Sequence, residues 1–159
     1  MTQDFTGMLA MLKQQATLMT DLQDFVHVGS GETLIHRIHK YFEANFQQGV
    51  SIFVDTSEAF LDDDDSDNVR VIFELGITSL TKAKLHDALA IDTAWNDTMS
   101  LLVRYLGRLK RESQEEDEFE IMVHNKFAQV GKIVNTDVYG WRADAKITIS
   151  VNETYRSNT

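Results

Sequence analysis

The residues able to hold a metal ion or move a proton fall into a few short runs. The densest is acidic, Leu61-Asp62-Asp63-Asp64-Asp65-Ser66-Asp67-Asn68. Counted from Asp63, the carboxylates Asp63, Asp65 and Asp67 sit on alternate positions and Glu74 on the twelfth. That is the spacing of a calcium loop, which gathers oxygen ligands around one cation. Two features oppose it. The template has Gly at its sixth position, where this chain has Asn68, and it needs helices on both flanks, whereas Val69–Ile77 alternates with period two. Without a cation such a run repels itself and must spread into water or against a partner. The five His residues (27, 36, 39, 86 and 124) are scattered, and only His36 and His39 share a helical spacing, with no His-Glu-x-x-His pattern. Gly29-Ser30-Gly31 is followed by Glu32-Thr33 and lacks the Lys-Ser/Thr of a phosphate loop, so it reads as a plain turn. There is no Cys, no Gly-x-Ser-x-Gly elbow and no kinase set. The expectation is no enzyme, no cofactor and no resident metal.

Composition narrows the partners. The 159 residues are 43% hydrophobic and 25% charged, ordinary for one globular domain, here 1–159. The net charge of −10 should repel nucleic acid and anionic membrane. The one basic stretch, Arg104 to Arg111, is followed at once by Glu112, Glu115, Glu116, Asp117 and Glu118, so DNA binding is not the expected role. No apolar run approaches a membrane span, and the start, MTQDFTGMLAMLKQQ, is not patterned as a signal peptide. The absence of Cys fits assembly in a reducing cytoplasm. Pro is absent too, which leaves turns to Gly, Asn, Asp and Ser.

The element that must position everything else is Lys84–Arg111. Leu85, Ala88, Ile91, Trp95, Met99, Leu102, Leu106 and Leu109 recur at steps of three and four, one face of a long helix. Acidic residues lead its first turns and basic residues its last, as the macrodipole favours. Asp4–Gln23 reads as a second amphipathic helix with Asp4 as N-cap. Asp24–Val28 is a short strand. Glu32–Gln48 is ambiguous, with Leu34, Ile35, Ile38, Tyr41, Phe42 and Phe46 fitting a helix. Gly49–Val54 and Val69–Ile77 are strands that can pair as a hairpin with the acidic loop 61–68 at its tip, and Gly76 marks a bulge or bend. Thr78–Ala83 leads into the long helix, and Ser113–Glu118 leaves it as an acidic linker. Phe119–Val123 and Lys126–Val134 are two strands, and Asn135-Thr136-Asp137 turns the chain. Val138–Val151 alternates most clearly. Trp141, Ala143, Ala145, Ile147, Ile149 and Val151 line one face, and Arg142, Asp144, Lys146, Thr148 and Ser150 the other. That second face mixes signs and suits contact with other copies, so Arg142, Asp144 and Lys146 join Asp62, Asp63, Asp64 and Asp65 as partner-surface candidates. Residues 152–159 have no pattern and read as a mobile tail. The fold class is α+β, an N-terminal helix and a long central helix packed on a mainly antiparallel sheet.

Three stretches carry a family likeness: Phe25-Val26-His27-Val28-Gly29, then Asp92-Thr93-Ala94-Trp95 with Leu102 and Leu106, and Asp137-Val138-Tyr139-Gly140-Trp141-Arg142-Ala143-Asp144. In their order, across about residues 5 to 151, the chain resembles small proteins of tail-module gene clusters in phages and prophages, especially those of Bacteroidetes. It is similar in this to tail terminators and tail-completion proteins. The resemblance implies a structural virion protein at the head-proximal neck of a tail, assembled in the host cytoplasm. It implies a homo-oligomeric ring, usually of six copies, against the tail tube and neck or connector proteins, with DNA passing through and not specifically bound. It carries no catalytic residues. The alternatives are a calcium-modulated binding module on Asp63, Asp65, Asp67 and Glu74, another tail or connector protein, and an enzyme whose site converges only in space.

Overall fold

The computed structural model describes residues 4–29, 31–44, 49–63, 68–84, 86–131 and 137–152. The elements follow in the order α1 (Phe5–Thr17), β1 (Leu22–His27), α2 (Leu34–Ala44), β2 (Val50–Asp62), β3 (Arg70–Lys82), α3 (Ala88–Glu116), β4 (Phe119–Gly131) and β5 (Val138–Ser150). The strands form one sheet in the order β1-β2-β3-β5-β4. β1 runs parallel to β2, and every other pairing is antiparallel. The architecture is α+β, with the long α3 packed across the sheet.

α3 starts where its capping chemistry is met. His86 takes a left-handed φ of 66°, and the Asp87 carboxylate accepts from Ala90 N at 3.0 Å. The helix therefore begins at Ala88, later than the expected Lys84, and Leu85 lies outside the described residues. It also runs on through the expected linker to Glu116 and stops at Asp117, whose φ of 51° turns the chain. The expected complement to the macrodipole is thereby lost, because the last turn carries acid and no base. The buried face is rotated from the expected stripe. Ala94, Thr98, Leu101, Leu102, Tyr105, Leu106 and Leu109 are buried, Ile91, Trp95 and Met99 are half-buried, and Ala88 is exposed. The reason is polar: Thr98 and Tyr105 point inward because their hydroxyls are satisfied there. Thr98 Oγ1 donates to Ala94 O at 2.6 Å and Tyr105 Oη to Leu12 O at 2.9 Å.

α1 opens on the expected cap, Asp4 Oδ1 accepting from Gly7 N at 2.6 Å. It ends at Thr17 rather than Gln23, because Leu22 onward is drawn into β1, paired with β2 from Val50. α1 and α3 cover one face of the sheet over a single core that includes Met8, Leu12, Ile52, Ile77, Leu102 and Ile147. α2 resolves the ambiguous stretch as a helix. Its Ile38, Tyr41 and Phe42 pack on Val26, Phe53, Leu80 and Val138, residues of opposite strand parity, so it covers one end of the other face. Residues 45–48 lie outside the described residues, as does Ser30 in the expected Gly29-Ser30-Gly31 turn.

Several strands outrun their sequence signals. β2 continues past Val54 to Asp62, and β3 takes in Thr78–Lys82, which had read as a lead-in to the helix. Leu61 and Asp62 are strand, not loop. The two strands do form the expected hairpin. One extra residue, Ser57, bulges between Thr56, opposite Leu75, and Glu58, opposite Glu74. Phe119–Gly131 is one strand and not two. It holds its pairing with β5 on both sides of an irregularity between Val123 and Phe127. Gly76 marks no bulge, since Asp55 and Asp144 flank it in regular register. The expected turn residues Asn135 and Thr136, and residues 153–159 of the expected tail, lie outside the described residues.

Candidate functional site

Of the expected partner-surface residues, Asp62, Arg142, Asp144 and Lys146 stand on the half of α2's sheet face that no described element covers, while Asp63 lies just past the end of β2 and Asp64 and Asp65 lie outside the described residues. Strand neighbours in register share a face. Asp55, Gly76 and Asp144 form one row, Thr78 and Arg142 stand in the next, and Glu58, Glu74, Lys146 and Met122 form another. Nearer the hairpin tip come Phe60, Ile72, Thr148 and Glu120, then Asp62, Arg70 and Ser150. Arg142, Asp144 and Lys146 are thus neighbours on this face, as the alternation of β5 requires.

Arg142 is the centre of its polar network. Its guanidinium donates to both Asp55 oxygens, at 2.6 and 3.1 Å, and lies 3.3 Å from Asp144. The fork-to-carboxylate geometry is the strong, oriented kind. The hydrogen bond to Asp55 raises the Arg142 pKa above its already high ordinary value, against the opposing pull of burial. Gly76 makes this possible: a Cβ there would run into the guanidinium. Lys146 pairs with Glu74 at 3.3 Å and Arg70 with Asp62 at 2.6 Å. A depression of about 260 Å³ bounded by Ser57, Glu74, His124, Asp144 and Lys146 lies on this face.

The calcium-loop reading fares differently. Asp64, Asp65 and Asp67 lie outside the described residues. The flanks are the strands β2 and β3, not helices, and the twelfth position, Glu74, stands mid-strand paired with Lys146. Among the described residues no three His, Cys, Asp or Glu side chains are grouped to hold a metal. His36 on α2, His86 in the turn before α3 and His124 on β4 are exposed, His39 on α2 is half-buried, and His27 stacks edge-on against Phe5 with ring centres 5.9 Å apart.

Two arrangements escaped the sequence reading. Tyr41 Oη donates to Asp24 and shares a 2.9 Å bond with Ser51 Oγ. Burial, reinforced by Asp24, pushes the Tyr41 pKa up to about 12. The second joins two of the family-like stretches. Trp95 and Trp141 meet at 5.6 Å between ring centres, and Trp141 Nε1 donates to Trp95 O at 3.0 Å. Gly140 lies so close to the Ser79 carbonyl that a Cβ would collide with backbone. Among the described residues no helix is long and apolar enough to cross a membrane. Comparison with protein-family models and with curated proteins finds no match for the chain.

Proposed function

We propose that this chain is a structural protein of a phage virion, a tail terminator or tail-completion component. In this reading it forms a homo-oligomeric ring, of six copies by the resemblance, at the head-proximal end of the tail. The observation that carries the reading is the half of the sheet face that no element among the described residues covers. It is wide and built from satisfied ion pairs, and it has exposed apolar residues between them, the composition of a surface that meets protein. The family-like stretches support it, because their Trp95 and Trp141 join long helix to closing strand. The charge gives the ring its use. On the bare face the carboxylates of Asp55, Glu58, Asp62, Glu74, Glu120 and Asp144 outnumber the cations of Arg70, Arg142 and Lys146. A lumen of that sign repels DNA and lets it slide through without sticking.

Native mass spectrometry with negative-stain imaging tests it. The expected outcome is a closed ring of fixed copy number that joins purified tail tubes and retains no DNA in a mobility-shift assay at low salt. A protein that neither self-associates nor binds tubes overturns the reading. Calcium is not expected to move the melting point; a clear rise on titration would favour the cation-binding module instead.

A further inference from the structure

β4 is an edge strand, and among the described residues its outer side is bare along its whole length. Proteins usually blunt such an edge with Lys or Pro. The run Phe119–Val123 has neither. Ile121 and Val123 are only half-buried on the α3 face, and Met122 on the opposite face is 57% exposed. A depression of about 440 Å³ follows this edge, lined by Ile121, Met122, Val123, His124, Phe127 and, from α3, Lys110.

The order of charges along the strand selects an occupant. Around Met122 the alternate positions read Glu118, Glu120, Met122, His124 and Lys126, acids before and bases after. An antiparallel copy of the same strand centred on Met122 sets Glu120 against His124 and Glu118 against Lys126, each twice. Met122 meets Met122, and Ile121 meets Val123. Directly opposed residues share a face, so a strand can pair with its own copy only in registers centred on a residue. Centring on Glu120 opposes the two Glu120 carboxylates, and centring on His124 opposes the two His124 rings. Centring on Ile121 leaves Glu120 without a base, and centring on Val123 leaves Glu118 without one.

The space for that partner is open among the described residues. Past Lys126 the partner strand runs beyond Phe119, the first residue of β4, where the chain has come off α3 through Asp117 and no strand stands beside it. Lys110, which overhangs the edge, is exposed and can swing aside. β4 slips against β5 between Val123 and Phe127, so the main-chain bonds fall on Ile121–Val123, and the long side chains of His124 and Lys126 reach across from the slipped stretch. Main-chain bonds and apolar pairs hold such a contact, and the charges choose its register.

We infer that two copies of this chain join β4 to β4 about a two-fold axis at Met122, making one continuous sheet. The contact is isologous and closes at two copies, so it is separate from the contact that would close a ring and holds or fails independently of the tail role. In the proposed ring, six copies are three such pairs. The axis runs perpendicular to the sheet, so both copies turn their uncovered acidic half the same way, as a lumen of one sign needs.

The chain has no Cys, which makes the register readable by disulfide capture. Met122→Cys places two thiols opposite one another, and Glu120→Cys places them four residues apart along the strands, beyond bridging distance. Mild oxidation of the folded protein should link the Met122→Cys dimer at least about tenfold faster than the Glu120→Cys one. His124→Glu sets a carboxylate against Glu120 at two places in the pair and should weaken dimerisation about tenfold in sedimentation velocity. Adding Glu120→Lys restores opposite charges at both places and should recover the parent's affinity. The parent side chains at these positions are exposed, and thermal melts of the variants confirm folding. Equal linking of the two Cys variants, no weakening by His124→Glu, or no rescue by Glu120→Lys overturns the pairing even where a ring forms. So does a parent that stays monomeric at every concentration. A parent that stops at two copies keeps the pairing and removes the ring.

Discussion

Two glycines that look alike in the sequence do different jobs. Gly140 packs against the Ser79 carbonyl, and backbone in mid-sheet cannot move aside. Gly140→Ala should cost about 3 kcal/mol or more. At Gly76 the obstruction is the far end of the Arg142 side chain, which can swing away. Gly76→Ala should cost about 1 kcal/mol, the worth of the bonds to Asp55 that are given up. Urea denaturation of both variants checks the ranking, and equal losses would contradict it. Tyr41 makes a pH prediction. Its folded pKa, about 12, lies above the ordinary value near 10. Below about pH 10 the stability from the neutral hydroxyl is complete, and it is lost as pH rises towards 12. Tyr41→Phe should lower stability at neutral pH by about 1 to 2 kcal/mol and make the loss above pH 10 shallower. Tyr105, whose pKa burial also raises, adds to that alkaline loss. None of these contacts was legible in the sequence, since Arg142 and Asp55, or Gly140 and Ser79, meet only through strand pairing.

Among the elements, what alternated cleanly was readable. β5 needed only its period of two, and the β2–β3 hairpin needed two apolar runs around a polar tip. The misplacements have a common origin in residues that satisfy themselves in unexpected company. Counting only apolar side chains turned the buried face of α3 away from Thr98 and Tyr105, which are buried because each hydroxyl finds a carbonyl. Counting charge turned Ser113–Glu116 into a linker, although Glu is a good helix former and nothing before Asp117 stops the helix. That extension leaves Glu115 and Glu116 at the negative end of the macrodipole. Replacing both with Lys should stabilise the chain by about 0.5 to 1 kcal/mol, read as a higher urea midpoint at low salt that fades as salt rises. A lower midpoint would mean that these carboxylates serve a contact of their own.

At the scale of the whole molecule the net charge of −10 opposes any gathering of copies. Raising ionic strength from about 0.01 M to about 0.1 M shortens the Debye length from about 30 to about 10 Å. An oligomer of the kind proposed above should therefore gain at the expense of the monomer over that range, which light scattering can follow. An assembly held by ion pairs between copies would respond in the opposite direction. The fold class, the layering of helices on one face and the mixed signs of the other were all present in the pattern of residues. Where each strand stops and slips was not, because the end of β1 and the extra residue Ser57 are set only by pairing across the sheet.

The added residue Ser57 sets one more quantity. Removing it would restore even alternation and keep Phe60 and Leu61 on their present sides, so a shortened chain should still fold. Its hairpin arm would straighten, because a bulge bends and twists the strand that carries it. In the proposed ring, subunits that meet through this hairpin arm would need a different tally to complete the circle. If the chain forms the ring proposed above, its bore would then be gauged by a single residue of slack, and particle diameters measured for the deletion would reveal it.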